Sequence, residues 1–242
     1  MTTAGKVGSE TVRRLRERDA AVRVLVRDPA KAALLAAAGA EIAEGDLDAP
    51  ATIDDAMTGV STVVLVSPAV PAQELNVVAS AARTGAGHVV KATSKASADS
   101  PIARRRWQAE IEAGLAASGI PHTLLRSNAY MQNVLALAPA ITKTSSFGSA
   151  AGPGLISNYD VAAILSELLG RTITYQELTV EENTEAMISA GVPEQIAKMN
   201  AQAFSLAADG DAEWVTEDVP SLLGRPARSF QQFANDYAAA FS

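Results

Sequence analysis

The amino-acid sequence predicts an α/β fold, with a doubly wound parallel sheet followed by a smaller, mostly helical C-terminal domain. Through residues 21–125, short apolar runs alternate with helical stretches. This alternation is typical of crossover units that place helices on both faces of a parallel sheet. After about residue 139 the alternation stops and helical segments dominate. We therefore assign residues 1–140 to the first domain and residues 141–242 to the second.

Turn residues bound the strands and helices of the first domain. The predicted strands cover residues 21–26, 40–43, 62–66, 88–92 and 122–125, and the clearest helices cover 73–83 and 102–118. Asp28-Pro29 and Asp48-Ala49-Pro50 open helices, whereas Gly39, Gly59 and Gly119 end them. Ligands of such sheets bind beyond the carboxyl ends of the strands, so the residues that follow each strand are the site candidates.

The second domain has a different pattern. Residues 142–154 are rich in Ser, Gly and Ala and predict a loop. Helices are predicted at 159–169, 180–190, 193–208 and 229–240, and residues 173–178 alternate like an edge strand.

Composition excludes several classes of function. The 242 residues are 48% hydrophobic, which is ample for a core, and Cys is absent, so no disulfide or thiolate-bound metal is expected. With only two His residues, we expect no metal site. The net charge of −7 argues against a nucleic-acid partner, and no apolar run is long enough to span a membrane. The expectation is a cytoplasmic protein, either a monomer or a homodimer.

The stretch Gly5-Lys6-Val7-Gly8 precedes a helical run and looks like the second half of a dinucleotide-binding turn. Glycines there let the backbone approach a phosphate at the helix N-terminus. The alternative is an ordinary helix start. A buried strand normally precedes such a turn, yet only four residues precede Gly5.

Arg27 ends the next strand, 19 residues after Gly8. An acidic residue near this point binds the ribose 2′-hydroxyl of NAD, whereas an Arg accommodates the 2′-phosphate of NADP. Lys31 adds a second positive charge, and Asp28 is better explained as a helix N-cap before Pro29. We therefore expect NADP rather than NAD; the alternative for Arg27 is a surface charge.

Polar residues follow each of the remaining strands. They are Asp46-Leu47, Ser67-Pro68, Thr93-Ser94 and Ser127-Asn128. Each pair is also explained by turn chemistry. Their shared placement at strand ends favours a role in cofactor binding for Asp46, Leu47, Ser67, Pro68, Thr93, Ser94 and Asn128.

Together these stretches resemble the NmrA-like group of atypical short-chain dehydrogenases. The matching segments are the glycine turn, residues 24–31, residues 44–47, Leu125-Arg126-Ser127-Asn128-Ala129-Tyr130-Met131-Gln132-Asn133 and residues 223–230. The resemblance implies a Rossmann-like fold and NADP binding. It implies either reduction of quinones or dyes with NADPH, or a nucleotide-sensing regulator that acts through a protein partner without turnover.

Two departures from that family concern the sheet. The family begins with a strand before its glycine turn, and it continues the sheet with a further strand and helix after the loop near Gly148. Here Ala150-Ala151-Gly152-Pro153-Gly154 runs almost directly into the next helix. Removing a central strand leaves backbone groups unpaired. We therefore expect that the natural protein is longer and contains both segments; the alternative is a truncated scaffold that no longer binds a nucleotide.

A typical short-chain dehydrogenase uses a Tyr and a Lys four residues later. In the family's pattern these positions fall on Arg104 and Gln108, and neither side chain can replace the dyad, because Gln does not titrate and Arg stays protonated. Quinone-like or conjugated small-molecule acceptors do not need the dyad. Candidates for the acceptor pocket are Asn128, Tyr130, Met131 and Gln108, with core packing as the alternative.

Overall fold

The computed structural model describes residues 5–149, 157–211 and 213–242. It divides into two compact units, Met1–Ser127 and Asn128–Ser242. The boundary that the sequence predicts between residues 140 and 141 falls inside a helix of the second unit, Ala138–Thr144.

The first unit alternates helices and strands. Its helices are α1 (Lys6–Arg16), α2 (Ala33–Ala37), α3 (Pro50–Met57), α4 (Pro71–Thr84) and α5 (Ala103–Ala117), with a 3-10 turn at Pro29–Ala32. Its strands are β1 (Arg23–Val26), β2 (Glu41–Glu44), β3 (Thr62–Leu65), β4 (His88–Thr93) and β5 (His122–Arg126). The strands agree closely with the predicted positions, and every pairing between them is parallel.

Alternate residues of β1 pack on opposite faces of the sheet, as a pleated strand requires. Val24 and Val26 contribute to a cluster with Leu35 of α2. Leu25 instead joins a larger cluster that includes Ile53 of α3. Helices therefore cover both faces of the strand, and the predicted α/β class is confirmed.

The sheet of the first unit is interrupted. Among the described residues, β1 pairs only with β2, while β3, β4 and β5 form a separate three-stranded set. In a doubly wound sheet the first strand lies between the second and the fourth. If α1 follows that first strand, β1 is the second strand and β3 is the fourth. The interruption thus falls where the sequence analysis expects an additional strand.

The second unit is mostly helical. Its helices are α6 (Ala138–Thr144), α7 (Asn158–Leu169), α8 (Val180–Ser189), α9 (Glu194–Ala208), α10 (Asp218–Leu223), α11 (Phe230–Asp236) and α12 (Ala238–Phe241), after a 3-10 segment at Met131–Leu137. Strands β6 (Ser146–Ser149) and β7 (Thr174–Glu177) pair in parallel. The strand predicted at 173–178 is therefore present as β7, and the helix predicted at 229–240 is divided at Tyr237.

The prediction of a loop from Thr142 to Gly154 was wrong for its described part. Residues 142–144 end α6, and Ser146–Ser149 form β6; residues 150–156 lie outside the described residues. The Ser-rich and Gly-rich composition favours a loop. The segment nevertheless forms a strand because it pairs with β7. Phe147 is buried, and Gly148 leaves room for Leu178, whose Cδ1 would lie 2.7 Å from an added Cβ.

An aromatic core holds the second unit together. Phe233 of α11 is fully buried, and its ring lies 5.7 Å from that of Phe230 and 4.7 Å from that of Tyr237. Leu165 of α7 and Phe241 of α12 belong to the same cluster. Helices α7, α11 and α12, which are separated in sequence, therefore share one core.

Replacing Phe233 with Ala should lower the free energy of unfolding by about 3–5 kcal/mol, because it leaves a cavity in this core. Leu222→Ala is the matched control: Leu222 lies in the same unit but is 73% exposed, so its loss should cost less than about 0.5 kcal/mol. Urea unfolding followed by circular dichroism measures both. Equal effects of the two substitutions would contradict the assigned core.

Candidate functional site

A cavity of about 740 Å³ opens at the carboxyl ends of β1, β2 and β3. Its polar and loop walls are formed by Arg27, Asp28, Lys31, Gly45, Asp46, Leu47, Ser67, Pro68 and Gln73. Its apolar walls are formed by Leu25, Val26, Leu65, Val66, Val70 and Val77. The cavity thus joins three of the strand ends that the sequence singles out, and it contains six of the predicted cofactor residues.

Positive charge is concentrated where β1 ends. Arg27 is exposed there, and its guanidinium forms no hydrogen bond or ion pair with any residue that the structure describes. The Lys31 ammonium lies 3.6 Å from Asp28 Oδ2. Asp28 Oδ1 accepts a hydrogen bond from the Ala30 amide at 3.0 Å, so Asp28 is the predicted N-cap. Arg27 is therefore left free to bind an anionic group of a ligand.

The loop after β2 is held by its own hydrogen bonds. The Asp46 amide donates to Thr52 Oγ1 at 3.0 Å, and Asn76 Nδ2 donates to the Leu47 carbonyl at 2.8 Å. Gly45 begins the loop in a tight space, because an added Cβ would lie 2.7 Å from Leu25 Cδ1 and 2.9 Å from Thr52 Oγ1. Packing therefore fixes the backbone that presents Asp46 and Leu47 to the cavity.

Behind the third strand end lies a buried ion pair that the sequence analysis missed. Ser67, at the cavity wall, donates its hydroxyl proton to Glu74 of α4, and Glu74 also accepts from the Lys91 ammonium of β4. The side chains of Lys91 and Glu74 are 0% and 1% exposed. A lysine inside the apolar run His88-Val89-Val90-Lys91-Ala92 was the signal that could have revealed it, because buried lysines require a partner.

Thr93 and Gln108 lie together but do not line the cavity. Thr93 Oγ1 lies 3.0 Å from Gln108 Oε1 and 2.9 Å from Glu112 Oε1. Arg126 donates from Nη2 to Glu112 Oε2 at 2.5 Å, which raises the pKa of Arg126. This polar cluster ties α5 to the ends of β4 and β5. Ser94 is half-buried beside it and is also absent from the cavity wall.

The glycine turn lies at the start of α1. Gly5 is the N-cap residue, and no side chain of the described residues caps the helix there. Lys6 and Val7 are exposed, and Gly8 is buried within the helix. The first amide groups of α1 therefore lack a side-chain acceptor, which suits an anion. None of these four residues is among those that line the cavity.

The remaining predicted residues belong to the second unit. Asn128 is exposed, and Tyr130 is 42% exposed. Met131 is half-buried and packs against the aromatic core of that unit. A role for these three side chains in an acceptor pocket stays a prediction. Met131 makes the core contact that the sequence analysis gave as the alternative.

Comparison with known proteins connects this arrangement to a family. The sequence profile of a family described as NAD(P)H-binding matches residues 3–172. The NAD(P)H azoreductase of Xenophilus azovorans is 34% identical over 275 aligned positions, which cover 98% of this chain and 96% of that protein. The chain belongs to this NAD(P)H-binding family of oxidoreductases. The predicted resemblance, the NAD(P)H cofactor and the predicted reductase class are confirmed by the match.

Two further matches extend the comparison. Quinone oxidoreductase 2 of Escherichia coli is 30% identical, with 84% of each chain covered. A crystal structure of an Escherichia coli NADPH-dependent quinone oxidoreductase in complex with NADPH has a TM-score of 0.86 at 26% identity, and 97% of this chain and 98% of that one are covered. The azoreductase alignment spans 275 positions, more than the 242 residues here, so that relative has segments without a counterpart in this chain.

The residues of the site fit such a nucleotide. An unpaired guanidinium, a loop with close backbone packing and an uncapped helix start are groups that bind phosphates and a nucleoside. Among the described residues, no group of three or more His, Asp or Glu side chains could hold a metal ion. None of the helices in the described part of the chain is long and apolar enough to cross a membrane.

Replacing Gly45 with Ala should destabilise the first unit by about 1–3 kcal/mol, because the new methyl group overlaps Leu25 and Thr52. Gly87→Ala is the matched control, since Gly87 is exposed and its added Cβ would meet only the Ser61 carbonyl oxygen, at 3.5 Å. Urea unfolding of both variants measures the difference. A Gly45→Ala protein as stable as Gly87→Ala would show that this loop is not packed as described.

Proposed function

We propose that the chain is an NADPH-dependent reductase that transfers hydride to a small quinone-like or conjugated acceptor without a Tyr-Lys dyad. The observation that carries the proposal is the cavity at the ends of β1, β2 and β3, with the free Arg27 guanidinium at its wall. The names of the azoreductase and quinone oxidoreductase relatives support this class of acceptor.

Arg27 and Lys31 are the proposed ligands of the NADPH 2′-phosphate. A guanidinium forms paired, charge-assisted hydrogen bonds with phosphate oxygens, and NADH offers no phosphate at this position. The backbone amides at Gly5–Gly8 are proposed to hold the pyrophosphate, and Asp46 and Leu47 to border the adenine. Ser67, Pro68, Thr93, Ser94 and Asn128 complete the proposed cofactor residues.

The absence of the dyad decides which acceptors are suitable. Arg104 and Gln108, at the two dyad positions, lie one turn apart on α5, and burial lowers the pKa of Arg104. Gln108 is buried against Thr93 and offers no titrating group. When bound, NADPH supplies the hydride. A quinone-like acceptor delocalises the negative charge it receives and can take its proton from water.

The residues of the chain then have three tasks: they orient the acceptor, exclude water and hold the nucleotide. In the second unit, Asn128, Tyr130 and Met131 are proposed to contact the acceptor; Gln108 of the first unit is a separate candidate. Tyr130 and Met131 offer an aromatic ring and a flexible thioether, which suit flat conjugated molecules.

Replacing Arg27 with Ala should weaken NADPH binding by about 10- to 100-fold and leave NADH binding unchanged, because only NADPH has the 2′-phosphate. Arg18→Ala removes the same charge from an exposed position outside the cavity and should change neither affinity. Isothermal titration calorimetry measures both nucleotides with each variant. Equal losses for NADPH and NADH in Arg27→Ala would contradict the 2′-phosphate assignment.

Turnover separates the reductase from a sensor that holds the nucleotide without reaction. With NADPH and a panel of quinones and azo dyes, we expect steady oxidation of NADPH that depends on the acceptor, followed by its absorbance at 340 nm. Simple saturated ketones should give no reaction, because they need the missing proton donor. Tight NADPH binding with no turnover across the panel would contradict the reductase and favour the sensor.

A further inference from the structure

We propose that residues 213–229, which contain α10, form the contact surface of a two-fold symmetric dimer of this chain. We call these residues the α10 segment. All of them are exposed except Trp214 and Pro220, which are half-buried. The proposal concerns a surface of the second unit and does not depend on the proposed NADPH site.

The α10 segment exposes a cluster of large apolar side chains. Leu222 is 73% exposed and Leu223 is 56% exposed. Val215 is 70% exposed and Val219 is 38% exposed. Single exposed apolar side chains are ordinary, whereas a cluster of them marks a surface that binds another molecule. Val219, Leu222 and Leu223 have the spacing i, i+3 and i+4, which places them on one face of α10.

The core of the second unit does not account for α10. Among the described residues, none of the 6 in this helix is buried, and none belongs to the aromatic core around Phe233. A helix this short is not stable alone in water, because nucleation costs more than a few hydrogen bonds return. Packing of the apolar face against a second surface supplies the stabilisation that the core does not.

The charges of the segment select a second copy of the chain as the partner. Glu217 and Asp218 precede the apolar face, and Arg225 follows it. Within the described part of the chain, the Glu217 carboxylate and the Arg225 guanidinium form no ion pair. When two copies of α10 lie antiparallel, the acidic start of each helix lies beside the basic end of the other. The two helix dipoles then also attract each other.

The spacing of these residues fits a two-fold axis at the level of Ser221. Glu217 and Arg225 lie at equal distances in sequence on either side of Ser221, and so do Val219 and Leu223. Glu217 therefore lies opposite Arg225 of the second copy, and Val219 lies opposite its Leu223. Leu222 is next to the axis and lies near Leu222 of the second copy. Each contact occurs twice, so the segment is complementary to itself, as a symmetric interface requires.

The size of the segment predicts a weak dimer. A stable interface uses about 20–30 residues from each partner, and the α10 segment is smaller than that. We therefore expect a dissociation constant of about 1–100 µM. Sedimentation velocity of the unaltered chain from about 1 to 200 µM should show a shift from monomer to dimer across this range.

Leu222→Glu tests the apolar face. It removes an apolar contact twice and places two like charges near the axis, so it should weaken the dimer by at least about 30-fold. Leu34→Glu is the matched control, because Leu34 lies on α2 of the first unit and is 87% exposed. The same change of charge there should leave the dissociation constant unchanged.

Reversal of the charges tests the antiparallel arrangement. Glu217→Arg and Arg225→Glu should each weaken the dimer by about 3- to 10-fold, because each places like charges opposite one another. Combining the two substitutions restores opposite charges and should return the dissociation constant to within about 3-fold of its original value. Circular dichroism shows whether each variant is folded, and if Leu222→Glu is not, the charge variants decide.

Three results would overturn the proposal. One is a chain that stays monomeric to about 200 µM, well above the expected dissociation constant. Another is a dimer that persists in Leu222→Glu, or that Leu34→Glu weakens to the same degree. The third comes from hydrogen–deuterium exchange of the α10 amides, which should slow as the protein concentration rises. Slow exchange that does not depend on concentration would show that another segment of the same chain covers this face.

Discussion

Parallel pairing of the strands is the constraint on which the rest of the first unit depends. β1 pairs with β2, and β3 with β4, in the same direction, and one apolar cluster contains Leu25 of β1, Ile53 of α3 and Leu65 of β3, so the loops that follow β1, β2 and β3 meet at one cavity. Arg27, Asp46 and Ser67 are far apart in sequence and line the same cavity only through this pairing and packing. The order and direction of the strands, rather than any single residue, therefore determine where the site lies.

The same topology explains the interruption of the sheet. Among the described residues, the gap between β1 and β3 falls at the position that the first strand occupies in a doubly wound order. The apolar walls Leu25, Leu65 and Val77 border the cavity beside this gap. The polar residues of the three loops remain in place, because each strand set has its own ladder and because Leu25 of β1 belongs to the same apolar cluster as Val63 and Leu65 of β3.

Much of the first unit could be predicted because its strands are short, apolar and bounded by turn residues. Strand β6 could not be predicted, because Ser146 and Gly148 have low strand propensity and the strand depends on its pairing with β7. The N-cap role of Asp28 could be predicted from its place before Pro29. The spacing after Gly8 singled out Arg27, and its role in binding stays a prediction. The ion pair of Glu74 and Lys91 could not be predicted. These residues are 17 positions apart, one on a helix and the other on a strand, and they meet only after folding. Gln108 was considered for the acceptor pocket, whereas its observed partner is Thr93.

The central claim is that the cavity of the first unit binds NADPH. Hydrogen–deuterium exchange of the backbone amides, with and without saturating NADPH, tests it most directly. The account predicts slower exchange at residues 27–31, 45–47 and 67–70 and at the start of α1, with little change in α8 and α9. Unchanged exchange in all three loops, or protection confined to other segments, would contradict it.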